Sequence, residues 1–160
     1  MNTVTSQFDV AAFMQQQVRD VFQTMAALEV KPVPIQQDGN HHERISGVVG
    51  LGSETITGAV YLHLPLPLAE HITRQLLGLE PTDPVEEAAV NDVTGELTNM
   101  VAGGLKSTLC DRGVPCAVST PTIIRGTAYE IEVLPDVSRY CLSFDAGPFQ
   151  FNVEAHLKQN

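Results

Sequence analysis

Basic residues are scarce in the 160-residue chain: nine Lys and Arg stand against nineteen Asp and Glu, for a net charge of −10. Proteins that bind nucleic acid gain affinity by neutralising phosphates with Lys and Arg, so the balance excludes that class. An anionic membrane surface is disfavoured for the same reason. The charge would also repel a free phosphorylated small molecule unless a metal or a local basic group intervened. It would not repel a protein partner with a basic rim. Cysteine is sparse too: only Cys110, Cys116 and Cys141, with no C-x-x-C spacing. An odd number without a signal peptide points to a reducing compartment. Burial as small apolar residues is expected for them, rather than metal binding or nucleophilic attack. No run approaches the roughly 18 apolar residues of a membrane span. Met1-Asn2-Thr3-Val4-Thr5 lacks the basic and apolar regions of a secretory leader. The expectation is a cytoplasmic protein.

Hydrophobic residues make up 43% of the chain and charged ones 18%, which excludes intrinsic disorder and suits one domain over residues 1–160. Phe8, Val10, Phe13, Met14, Val18, Val21, Phe22, Met25 and Leu28 recur at helical spacing, predicting an amphipathic helix over about 7–28. Ser6 and Asp9 are alternative N-caps, and Lys31-Pro32-Val33-Pro34 stops the helix. Pro34–His42 reads as a loop or weak edge strand. Arg44–Gly50 and Glu54–Leu64 read as a β-hairpin turning at Leu51-Gly52-Ser53. A short helix is expected over Leu66–Leu79, with Leu68, Ile72, Gln75 and Leu76 on one side and Gly78 at its end. Asp83-Pro84-Val85-Glu86 carries the pattern of a capping box opening a helix that runs to about Leu109. Short β-like runs follow at Cys116–Val118, Thr122–Ile124, Ala128–Leu134, Arg139–Phe144 and Phe149–Leu157, the last two joined by a turn at Asp145-Ala146-Gly147. The order predicts an α+β fold: two layers, helices packed on a mainly antiparallel sheet.

The long helix carries the chemistry. At about 100° per residue, Val90, Val93, Leu97, Met100, Val101 and Gly104 fall in one apolar arc, expected to face the sheet. Asp92, Glu96, Asn99 and Gly103 fall in a separate stripe about 60° wide. Gly95, Gly103 and Gly104 each cost a helix roughly 1 kcal/mol relative to Ala. Gly104 would let helix and sheet approach closely, and Gly103 would leave the polar stripe open to something arriving from outside. Patterning alone does not separate this stripe from an ordinary solvated face.

A longer match does. Asp92-Val93-Thr94-Gly95-Glu96-Leu97-Thr98-Asn99-Met100-Val101-Ala102-Gly103-Gly104-Leu105-Lys106 resembles the signature helix of the CheC/CheX/FliY phosphatases of bacterial chemotaxis. That pattern is Asp or Ser, three residues, Glu, two residues, Asn, twenty-one residues and Pro; Asp92, Glu96, Asn99 and Pro121 meet every spacing. Val21–Val30, Ile45–Leu51 and Thr57–Val60 resemble the family's first helix and strand pair. Only one Glu-x-x-Asn element is present, as in CheX rather than CheC. The resemblance implies a homodimer that dephosphorylates a CheY-like response regulator. Asn99 would position the attacking water and Glu96 would pair with the receiver's active-site Lys. Asp92 and Gly103 would contribute to binding, and Gly95, Gly104 and Pro121 to structure. No cofactor is expected on this chain; Mg²⁺ is expected on the phosphorylated receiver.

Other readings are weaker. His41, His42, His63, His71 and His156 are scattered and lack ligand spacing, so no metal site is expected. Ser53 in Gly50-Leu51-Gly52-Ser53-Glu54 is not a nucleophile elbow, and no P-loop lysine follows those glycines. The principal rival is a non-catalytic adaptor that docks a response regulator or flagellar-switch component. A purely structural dimer is the other.

Overall fold

The structure is a computed structural model and describes residues 9–35 and 43–160. Its elements run α1 (Val10–Ala26), β1 (Lys31–Val33), β2 (Arg44–Gly52), β3 (Ile56–Pro65), α2 (Leu66–Leu77), α3 (Glu87–Asp111), β4 (Ala117–Val118), β5 (Thr122–Gly126), β6 (Ser138–Ala146) and β7 (Phe149–Gln159). The strands form one antiparallel sheet ordered β1-β6-β7-β3-β2, with β4 and β5 end to end along the far side of β2. All three helices cover one face. The fold is the expected two-layer α+β arrangement.

Alternation along the strands sets the layers. Ile45, Val49 and Leu51 of β2, Val60, Leu62 and Leu64 of β3, and Val153, Ala155 and Leu157 of β7 are buried towards the helices. From α1 come Val10, Met14, Val18, Val21, Phe22 and Ala26. Phe22 stacks on Phe151 at 4.7 Å and Phe151 on Phe144 at 5.2 Å, joining α1 to the β6–β7 hairpin. Each fully buried side chain of this size contributes about 1.5–3 kcal/mol.

Several boundaries differ from expectation. Asp9 caps α1, its carboxylate accepting from Ala12 N at 3.0 Å; the alternative, Ser6, lies outside the described residues, as does most of Pro34–His42. The helix ends at Ala26, with Ala27 in the left-handed region, before the prolines are reached. Lys31–Val33 then forms an edge strand on β6, where Pro32 is tolerated because an edge strand needs no donor on its outer side. The capping box does not form. The Asp83 carboxylate accepts from Glu80 N (2.7 Å) and Arg74 Nε donates to the Asp83 carbonyl (2.7 Å), so Asp83 closes a turn and α3 begins at Glu87. On α2 the buried face is Leu68, Ala69, Ile72 and Thr73, leaving Gln75 and Leu76 exposed.

No strand forms over Ala128–Leu134. The Arg44 guanidinium sits 3.9 Å over the Tyr129 ring and donates to the Tyr129 carbonyl, while the Tyr129 hydroxyl bonds Ser46 Oγ. These contacts lay the segment over the sheet face opposite the helices.

Helix α3 lies hard against the sheet at Gly47. A Cβ there would stand 2.0 Å from Thr98 Oγ1 and 2.9 Å from Thr98 Cβ. Gly47→Ala is therefore expected to destabilise the protein by about 1–3 kcal/mol through overpacking. Denaturant unfolding of the two proteins measures it.

Candidate functional site

The face that α3 turns to the sheet is not purely apolar. Thr94 and Thr98 are fully buried against β2, and each hydroxyl donates to its own helix, to Val90 O at 2.8 Å and Thr94 O at 2.7 Å. The buried set is Val90, Thr94, Gly95, Leu97, Thr98, Val101, Ala102, Leu105 and Leu109, while Val93 and Met100 are half-buried. The helix is thus rotated from the setting expected from its aliphatic residues alone. Sequence reasoning passed over the threonines because their polarity resembles that of a surface. A hydroxyl bonded back to its own helix needs no outside partner when buried.

The opposite face carries the predicted stripe. Asp92 and Glu96 are exposed, Asn99 is half-buried, and a Cβ at Gly103 would have nothing within 4 Å. Glu96 and Asn99, three residues apart, present their Cβ atoms roughly 5–6 Å from one another. Pro121, immediately before β5, lies over Gly95: a Cβ there would be 3.4 Å from the proline Cβ and 3.8 Å from Ile123 Cδ1. Gly104 faces α1 rather than the sheet. A Cβ there would strike the Gln17 amide, whose Nε2 donates to Met100 O at 3.2 Å. Arg125 of β5 donates to Asn91 Oδ1 (2.9 Å) and to the Glu87 carbonyl (3.2 Å), fixing the start of α3. The structure therefore puts Asp92, Glu96, Asn99 and Gly103 on one line facing away from the sheet, its first two residues exposed and its last two half-buried, and sets Gly95, Gly104 and Pro121 against neighbouring elements.

A second polar cluster, not anticipated, occupies the outer face of the sheet. His63 Nε2 donates to Glu154 Oε2 (2.7 Å), Arg139 Nε donates to Glu154 Oε1 (2.6 Å), and Cys141 Sγ donates to the same oxygen (3.1 Å). Ser46 Oγ lies 2.6 Å from His63 Nδ1, and His156 Nε2 is 3.6 Å from Glu154 Oε1. Two histidines that are distant in sequence thus meet at one carboxylate. The i, i+2 spacing of Glu154 and His156 signals a shared face, but the pairing of β3 with β7 that brings His63 to them is not readable from the chain.

The Ser46–His63–Glu154 relay has the connectivity of a hydrolase triad and not its access. Ser46 is 0% exposed, beneath the Tyr129 hydroxyl. Burial and the bond to Glu154 push the Cys141 thiol up to about 11, and burial beside Cys110 raises Cys116, so neither is a poised nucleophile. Cys116 is buried; Cys110 and Cys141 are half-buried. Among the described residues no three His, Cys, Asp or Glu side chains converge to hold a metal, and no helix is long and apolar enough to cross a membrane. His41 and His42 lie outside the described residues.

The network links stability to pH. Burial alone would raise the Glu154 carboxyl, but hydrogen bonds from His63, Cys141 and Arg139 outweigh it and hold the group well below its ordinary range. Burial lowers His156, partly offset by Glu154. Both folded-state values lie below the ordinary ones of 4.5 and 6.5. As acid is added, the unfolded chain takes up protons that the folded one refuses. Stability from both groups is complete at neutral pH and is lost as pH falls through 6.5 and then 4.5. Glu154→Gln is expected to cost about 3 kcal/mol near neutral pH and to flatten the acid limb. Unfolding midpoints at about pH 7, 5 and 3 read both effects.

The family model described as chemotaxis phosphatase CheX matches residues 45–145, more than half of the chain and the whole of α3. The chain belongs to the CheX family. Among solved structures, the CheX chemotaxis protein of Vibrio vulnificus is 26% identical over 99% of this chain and 100% of its own, with a TM-score of 0.80. A CheC-like superfamily protein of Shewanella is 26% identical over 99% of both chains, with a TM-score of 0.76. The CheX–CheY–BeF₃–Mg²⁺ complex of Borrelia burgdorferi is 17% identical over 95% of this chain and 98% of that one, with a TM-score of 0.69. No curated protein sequence matches. For a CheX-family chain, the outward stripe on α3 rather than the outer-face cluster is the candidate site.

Proposed function

We propose that this protein is a phosphatase that removes the phosphoryl group from the aspartyl phosphate of a CheY-like receiver domain. The observation that carries the reading is the outward presentation of Glu96 and Asn99 side by side on α3, with open space over Gly103 beyond them. CheX-family membership supports it, as does a like-folded CheX whose structure contains CheY, beryllofluoride and Mg²⁺.

The chemistry is in-line attack of water on phosphorus. The P–O bond to the receiver's aspartate breaks, the carboxylate leaves, and inorganic phosphate departs. Catalysis of such a transfer is mostly positioning and charge stabilisation. The receiver contributes its own Mg²⁺ and lysine, and this chain contributes the water's orientation. The Asn99 amide can accept from and donate to that water while remaining neutral, a part glutamine plays in GTPases. The Glu96 carboxylate pairs with the receiver lysine and sets the register in which Asn99 enters. Asp92, one turn earlier, adds negative charge towards the basic rim of the partner. Pro121 against Gly95 keeps the helix segment seated, a supporting part only. The reading includes a homodimer, which the family resemblance implies, and a cytoplasmic location, as expected from the sequence.

Asn99→Ala is expected to lower kcat roughly a hundredfold or more while receiver binding persists. Glu96→Ala should raise KM at least about tenfold. Steady-state phosphate release over a range of phosphorylated receiver concentrations separates the two. Near-normal turnover by the Asn99 variant would sink the water-positioning role. Gly103→Ala should behave differently again. It should stabilise the free protein by up to about 1 kcal/mol, because alanine favours the helix, and still weaken receiver binding by filling the gap. Thermal melting and a binding titration of that variant check both halves.

A further inference from the structure

Beside the Glu96–Asn99 stripe lies a hollow of about 280 Å³, open to solvent and lined by Met25, Leu76, Asp92, Val93, Glu96 and Leu97. It forms where the end of α1, the end of α2 and the first half of α3 meet. Its lining surface is almost wholly apolar, and two of the residues that border it are the exposed acids Asp92 and Glu96, which the candidate site already uses. Leu76 is 42% exposed there, and Leu77 and Leu79 just beyond it are 55% and 37% exposed. The fold does not need these leucines on the surface: α2 seals itself against the core through Leu68, Ala69, Ile72 and Thr73. A run of exposed leucines next to an apolar hollow marks an interaction surface.

Three occupants fail on charge. An anionic lipid surface and a nucleic acid would both meet Asp92 and Glu96. A second copy of this chain, seated about a two-fold axis at the hollow, would bring four carboxylates together, because each partner offers the same patch. What fits is the complement: a protein surface with a cationic side chain beside an aliphatic or aromatic one. We propose that the hollow is a docking pocket for an apolar side chain of the receiver domain, neighbouring the lysine that pairs with Glu96. The inference rests on the phosphatase reading and extends it: Glu96 fixes register, and the hollow supplies affinity and selects among receivers. Few interface residues carry most of the binding energy, and an apolar anchor beside a charge pair is where such energy concentrates.

The test compares wild type with Leu76→Ser and Leu76→Met. One assay is steady-state turnover of phosphorylated CheY-like receivers. The other is equilibrium binding to a receiver loaded with beryllofluoride and Mg²⁺. Leu76→Ser should raise KM and the dissociation constant roughly tenfold with kcat unchanged. Leu76→Met should restore both, and the thermal midpoint of each variant should match wild type, since Leu76 is outside the core. Unchanged KM and binding in Leu76→Ser would overturn the inference while leaving the phosphatase intact. If wild type binds receivers without accelerating phosphate release, the phosphatase reading fails and the binding arm still decides the pocket. If it binds none, both fall. A Leu76→Ser protein that loses self-association by sedimentation, with receiver binding unchanged, would make the hollow a subunit contact and overturn the proposal.

Discussion

The rest of the structure depends on the contact between Gly47 in β2 and Thr98 in α3. With no side chain at position 47, the helix lies directly on the sheet, and Thr98 Oγ1 occupies the space a Cβ would need. The threonine can be buried there because its hydroxyl is satisfied within α3 by the Thr94 carbonyl. This contact fixes rotation as well as distance. Once Thr94 and Thr98 point at the sheet, Asp92, Glu96, Asn99 and Gly103 must point away from it. Gln17 of α1 against Gly104 and Pro121 against Gly95 hold the same setting from other sides. An exposed polar stripe is thereby presented on one of the most constrained elements of the molecule, as positioning catalysis requires.

The two faces of the sheet divide the work. The helix-covered face holds the core and, across α3, presents the candidate site. The outer face buries Glu154 of β7 within a set of donors from β3 and β6. That cluster resembles a catalytic relay when its connectivity alone is considered. Burial decides otherwise: its serine is closed off, its thiol is pushed up, and its carboxylate is committed to three donors. Perturbed ionisation here marks a structural network, whereas the groups proposed for function lie on the far side of α3 and act through geometry and complementary charge.

Much of this was legible in the chain. Helical periodicity predicts α1 and α3, alternation predicts the β2–β3 and β6–β7 hairpins, and the spacing of Asp92, Glu96, Asn99 and Pro121 marks the stripe. The failures share a cause: local signals yielded to tertiary partners. Asp83 has the sequence setting of a helix cap, but Arg74 and the Glu80 turn hold it. Residues 128–134 have strand composition, yet Arg44 and Ser46 capture Tyr129 and pull the segment across the sheet. Pro32 hid an edge strand because a proline in that place usually ends structure. The role of Gly47 was invisible, since nothing local says that a glycine in a strand faces a threonine fifty-one residues later. The hollow at Leu76 was equally hidden, because it exists only where three helices meet.

Turnover of an acyl phosphate at the α3 stripe is what separates an enzyme from an adaptor. The direct measurement is phosphate release from phosphorylated CheY-like receivers, with Mg²⁺, in the presence of substoichiometric amounts of this protein. Each molecule is expected to clear many receivers, at a rate that saturates with receiver concentration. Decay no faster than that of the receivers alone, across a panel that the protein demonstrably binds, would contradict the phosphatase reading and leave an adaptor in its place.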